Sequence, residues 1–126
     1  MGNQIEKING HYIVCGYGRI GRLLTEYLVQ KYVNVVVIEK DTDHEARLDG
    51  DGVLYLIGEA TDENILVQAG IKRAAGVIAG LGTDEGNVSL VRLARQLNPD
   101  GFVVARASRE SAKKALEEAG AHKVIS

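Results

Sequence analysis

Three glycines, Gly16, Gly18 and Gly21, stand in the spacing G-x-G-x-x-G within HYIVCGYGRIGRLL, and Glu39 follows at the end of the next apolar run. Residues of these types at this spacing can hold a nucleotide. Gly16 permits a sharp turn, Gly18 lets a pyrophosphate approach the backbone, and Gly21 lets a helix pack closely on a sheet. Unpaired N–H groups at the start of that helix attract the anion. Glu39 can accept hydrogen bonds from both ribose hydroxyls, and its charge repels a 2′-phosphate. The favoured ligand is NAD(H) or an adenine nucleotide (AMP, ADP or ATP) over NADP(H), with the neighbouring Lys40 pulling weakly the other way. The bland alternative is a strand-to-helix turn that needs small residues regardless. Four features together (apolar strand, glycines, amphipathic helix, acid) favour binding. Arg19 reads equally as a solvated first-turn residue and as a phosphate contact, since a cation at a helix start is disfavoured unless an anion is bound.

Two later segments, GEATD (Gly58–Asp62) and GLGTDEGN (Gly80–Asn87), follow apolar runs and so fall at strand ends, where ligands of open α/β sheets sit. Gly58, Glu59, Ala60 and Thr61 could border an adenine, although a loop with an N-cap would also explain Thr61. Gly80 and Gly82 suggest close backbone approach, with Leu81 between them as a further candidate contact, while Asp84 and Glu85 read equally as first-turn helix acids. Arg106 closes the fifth apolar run at the same edge, as a ligand contact or a surface ion pair.

Groups for catalysis are sparse. His11, His44 and His122 share no metal-ligand spacing with one another or with Cys15, and read as surface or strand-end residues. No Ser-His-Asp order, zinc motif or Walker lysine occurs. A dehydrogenase also needs an acid or base over the nicotinamide, usually from a second domain.

The elements that must position these residues alternate. Apolar, β-branched runs at His11–Cys15, Val35–Ile38, Val53–Ile57, Gly76–Ala79, Phe102–Ala105 and Lys123–Ile125 are too short for helices and too continuous for half-exposed strands. Between them, Ile20, Leu23, Leu24, Tyr27 and Leu28, and again Ala112, Ala115, Leu116 and Ala119, recur at helical spacing. Thr42 with Glu45 forms a capping-box pattern, Thr61 and Ser108 are candidate N-caps, and Gly70 and Gly120 stand where helices end. Pro99 falls in the loop after the Asn87–Leu97 helix. The pattern predicts a Rossmann-like, doubly wound α/β fold with a six-stranded parallel sheet in the order 3-2-1-4-5-6. Residues 1–10 read as a linker and residues 11–126 as one domain.

The chain has 126 residues, 45% of them hydrophobic and 25% charged, with no run of eighteen apolar residues, so one globular domain is expected. The formal charge of −2 supplies no field for nucleic acid or anionic lipid. A single cysteine excludes an internal disulfide, and the opening MGNQIEKING lacks an apolar signal core, which makes a cytoplasmic setting the default.

Taken in order, HYIVCGYGRIGRLL, Glu39, GEATDENILVQAGI, AAGVIAGLGTDEGNVSLVRLAR, VVARAS and AGAHKVIS resemble the RCK (regulator of potassium conductance) or TrkA-N domain over about residues 11–126. The resemblance implies a non-enzymatic regulatory domain that binds NAD(H) or ATP, ADP or AMP and gates potassium transport. It implies a homodimer, an octameric ring in the larger assembly, and a potassium channel pore or transporter membrane subunit as partner at the cytoplasmic face of the membrane. By position it places Gly16, Tyr17, Gly18, Arg19 and Ile20 at the phosphates, Glu39 at the ribose, and Glu59, Ala60 and Thr61 near the adenine. The family commonly has Asp where Glu59 stands. It often has an acid where His122 stands, which argues against one calcium site found in some channel domains. The competing class is an NAD-binding domain of a small oxidoreductase separated from its substrate domain.

Overall fold

A computed structural model describes residues 2–126. Its elements run α1 (Gly2–Glu6), β1 (Tyr12–Cys15), α2 (Arg19–Gln30), β2 (Val35–Glu39), a 3-10 turn (Thr42–His44), α3 (Glu45–Asp51) and β3 (Leu54–Ile57). There follow α4 (Glu63–Gln68), a 3-10 turn (Ile71–Arg73), β4 (Gly76–Ala79), α5 (Asp84–Leu97), β5 (Phe102–Arg106), α6 (Glu110–Ala119) and β6 (Lys123–Ile125). All strand pairs are parallel, in the order β3-β2-β1-β4-β5-β6. Each predicted strand is present, with ends shifted by no more than a residue.

The pleat divides each central strand between two cores. Ile13, Cys15, Val36, Ile38, Val77 and Ala79 face the layer that holds Leu66 of α4, Leu90, Val91 and Ala94 of α5, and Leu116 of α6. Val14, Val35, Val37 and Ile78 face the other, against Leu24 and Leu28 of α2 and Leu48 of α3. With both faces covered, a central strand has no polar side to show, and β2 is buried along its whole length. Connections from β1 wind toward one layer and those from β4 toward the other, and this reversal opens a crevice between the two strands.

Several local expectations are corrected. Residues 1–10 are not all linker: α1 lies there, Ile5 is buried in the larger core, and Arg73 donates from Nη2 to the Ile5 carbonyl and from Nε to the Ile8 carbonyl. Met1 lies outside the described residues. On α2 the buried positions are Gly21 and Thr25, while Leu23 and Tyr27 are more than half exposed, because close contact at Gly21 turns that side of the helix inward. Asp41, not a Thr42–Glu45 box, caps the turn after β2, by accepting from the Asp43 N–H. Asp62 rather than Thr61 caps α4. Ser108 caps nothing, as its side chain is drawn to Asp84. Gly70 and Gly120 do adopt positive φ at helix ends. Of the two readings of His11, surface or strand-end, the second holds: it stands immediately before β1 and is wholly buried, with Nε2 on the Ala69 carbonyl at 2.8 Å.

Candidate functional site

A cavity of about 610 Å³ lies over the carboxyl ends of the strands. Its floor is the first turn. Gly16 has φ +96°, and a Cβ there would overlap the Gly80 carbonyl oxygen; a Cβ on Gly21 would overlap the Gly16 carbonyl oxygen. The glycine loop is therefore pressed between β4's end and the start of α2, where only hydrogen fits. Gly18 differs, with open space beside its Cα. It is also the N-cap of α2 and offers no side chain to the helix's first N–H groups, and no acid occupies the first turn. Those donors and the helix dipole are left for an anion.

Glu39 ends β2 beside this loop and is 8% exposed. Its Oε1 accepts from the Tyr17 main-chain N–H at 2.7 Å and its Oε2 from the Asp41 N–H at 2.9 Å. Each oxygen keeps a lone pair, so the group can still accept from a diol. The Tyr17 side chain turns away from the loop, into the smaller core, where its hydroxyl donates to Asp51 Oδ2 at 2.7 Å. Burial and the Asp51 bond push that phenol well above its ordinary range, and the same bond holds the Asp51 carboxyl below its own. Tyr17 thus has both of its donors engaged, the N–H on Glu39 and the hydroxyl on Asp51, and its part in the site is to tie the glycine loop to β2.

The remaining walls come from β3, β4 and β5. Gly58, Glu59, Ala60 and Thr61 border the cavity after β3, with Ala60 buried and Glu59 and Thr61 exposed. Lys40 and Arg19 line it with exposed side chains, and Ile20 and Gly21 complete the helix start. Gly80, Leu81 and Arg106 close the far side. Of the residues singled out from sequence at this edge, Glu85 lies outside the lining, and so does Asp84. It is 5% exposed and accepts from the Ser108 N–H at 2.8 Å and the Ser108 hydroxyl at 2.6 Å, with Arg109 Nη1 at 3.5 Å. These bonds, those from Ser108 first, hold its carboxyl below the usual range. Gly82, read from sequence with Gly80 as a point of close backbone approach, lines the cavity, and Ile38, Thr83 and Gly86 line it too and were missed. The second glycine run was the available signal for Gly86.

Three cations (Arg19, Lys40, Arg106) and two acids (Glu39, Glu59) line the cavity, an arrangement that matches phosphate at one point and hydroxyls at another. Cys15, beneath it, is buried, and desolvation pushes its thiol up to about 12, far from the reactive thiolate. Among the described residues, no group of three or more His, Cys, Asp or Glu is placed to hold a metal ion, and no helix is long and apolar enough to cross a membrane.

The chain is 37% identical over 129 residues to Probable potassium channel protein 2 of Methanocaldococcus jannaschii, an alignment that covers 100% of this chain and 38% of the relative. It therefore spans well under half the length of that protein. The crystal structure of the TrkA-N domain of the inner membrane protein ybaL from Escherichia coli superposes with a TM-score of 0.88 at 32% identity, covering 94% of this chain and 88% of that one. The GsuK channel bound to NAD superposes with a TM-score of 0.85 at 26% identity, over 95% of this chain and 22% of that one. A GsuK structure bound to ADP gives 0.84 at the same identity, over 95% and 32%. The model of the TrkA-N domain matches residues 12–126, and the chain belongs to that family.

Proposed function

We propose that this chain is a regulatory nucleotide-binding domain that takes NAD(H) or an adenine nucleotide and gates potassium movement through an associated channel or transporter at the cytoplasmic face of a membrane. The observation that carries the reading is the meeting of three features in one cavity: the uncapped start of α2, the open approach at Gly18, and the buried carboxylate of Glu39. The ligands named for the GsuK structures support NAD and ADP as candidates. The phosphate sits at residues 16–21, the ribose at Glu39 and the base against Gly58–Thr61. Its role is regulatory rather than catalytic, and a homodimer, within an octameric ring in the full assembly, carries the signal.

Gating requires that the nucleotide bind one state of the assembly better than the other, since equal affinity shifts nothing. Two measurements test the reading. A thermal-shift panel of NAD, NADH, NADP, AMP, ADP and ATP should raise the unfolding temperature for at least one of the non-NADP ligands, as a ligand at 100 times its Kd adds about 2.7 kcal/mol. Potassium flux through the intact protein should respond to that ligand and lose the response when Gly18 carries a bulky side chain. No shift with any of the six, or a flux response untouched by the Gly18 change, overturns it.

A further inference from the structure

Asn87, in the first turns of α5, is 1% exposed and does not line the cavity. Its side-chain amide is nonetheless fully used on residues that do. Oδ1 accepts from the Leu81 N–H at 2.8 Å, and Nδ2 donates to the Leu81 carbonyl at 3.2 Å and to the Arg106 carbonyl at 3.0 Å. Arg106 in turn donates from Nη1 to the same Leu81 carbonyl at 3.2 Å. One buried amide thus holds both the backbone of Arg106 and the group on which its guanidinium rests. Asp84 braces the same loop from beyond, through Ser108 two residues on.

We infer that Asn87 is a positioning residue for the β4–β5 half of the cavity, the half that a dinucleotide needs and a mononucleotide does not. The inference rests on the nucleotide-binding reading above. Strand order supplies the division: Glu39 and Gly58–Thr61 lie on the β2–β3 side of the glycine loop, and Leu81 and Arg106 on the β4–β5 side. A nucleoside monophosphate with its ribose at Glu39 and its phosphate at the start of α2 is confined to the first side. Only a second nucleotide unit extends past the loop toward Arg106. A guanidinium carries five N–H donors, and with one spent on Leu81 the others remain for that unit.

The test compares NAD⁺ and AMP binding by calorimetry in the intact protein and in Asn87→Asp, Arg106→Gln and the double variant. Aspartate keeps the acceptor for Leu81 but sets an oxygen against two carbonyls, so the donations are lost at nearly constant volume. The expected result is a fall of about tenfold or more in NAD⁺ affinity with AMP affinity held within about twofold. The double variant should bind NAD⁺ no more weakly than Arg106→Gln alone, because residues acting in one chain of contacts are not additive. If Asn87→Asp does not fold, Asn87→Ser, which places no misdirected carboxylate, carries the same comparison. Equal losses for both ligands, no loss for either, or additive losses in the double variant overturn the inference. A parent protein that binds AMP but not NAD⁺ overturns it and leaves the nucleotide reading standing; one that binds neither overturns that reading instead.

Discussion

The Tyr17 main-chain N–H donates to Glu39 Oε1 at 2.7 Å, so the acid at the end of β2 is also a brace for the glycine loop. With Asp41 N–H on the other oxygen, the carboxylate receives two backbone donors before any ligand arrives. Glu39→Gln has one carbonyl oxygen to offer two donors, and its NH₂ must face an N–H. The ligand-free protein should lose about 1–3 kcal/mol in urea unfolding, the cost of a buried unsatisfied group. A residue serving only as a ribose contact would leave ligand-free stability unchanged.

Gly18 should separate binding from folding. Its Cα faces open space and its backbone is extended, with φ −77°, so Gly18→Val meets no steric barrier and costs about 1 kcal/mol or less through the weaker N-cap. The side chain would fill the approach to the start of α2. Nucleotide affinity, read by calorimetry, should drop by more than about tenfold, where one lost charge-assisted bond already accounts for that factor. Gly21→Ala should instead destabilise the fold itself, since its Cβ meets the Gly16 carbonyl.

Stability should fall on acidification through His11. The ring is fully buried, its Nδ1 has no partner, and Arg73 stands nearby. Desolvation first, then the Arg73 charge, lower its pKa, opposed by the Ala69 bond. The unfolded chain thus binds the proton more readily, and unfolding free energy rises with pH in that window. The contribution is complete above the unfolded pKa of about 6.5 and is lost as pH falls from there through the folded value. His11→Gln keeps a donor for the Ala69 carbonyl and does not titrate. Its unfolding temperature should vary less than the parent's across this range, and parallel curves would contradict the assignment.

Ile5 tests whether the N-terminal segment is part of the domain. It is 4% exposed within the larger core, and Arg73 holds its carbonyl. Ile5→Ala should cost about 2 kcal/mol, the low end for a buried Ile at a chain end that can relax. A freely hanging segment would show no change in denaturant midpoint.

The strands were legible because a parallel strand covered on both faces leaves an unbroken apolar run, and His11–Cys15, Val35–Ile38 and Gly76–Ala79 are such runs. Helix faces were harder to read. The α2 pattern named Leu23 and Tyr27 as inward, yet the contact at Gly21 turned Thr25 inward and left both exposed. Caps failed where two polar neighbours compete: Asp62 took the role expected of Thr61, and Ser108 was claimed by Asp84.

The sequence by itself determined the strand order and the glycine turn, because both follow from local pattern: β-branched runs spaced by helices, and glycines where a Cβ would strike a carbonyl. Of the sixteen residues it assigned to the site, fifteen meet in the cavity, since strand ends and the helix start after β1 converge there. Tertiary structure alone decided which polar side chains became braces. Asn87, Asp84 and His11 find their partners across 6 to 58 residues of chain, and a hydrogen bond between elements leaves no periodic trace in the sequence of either.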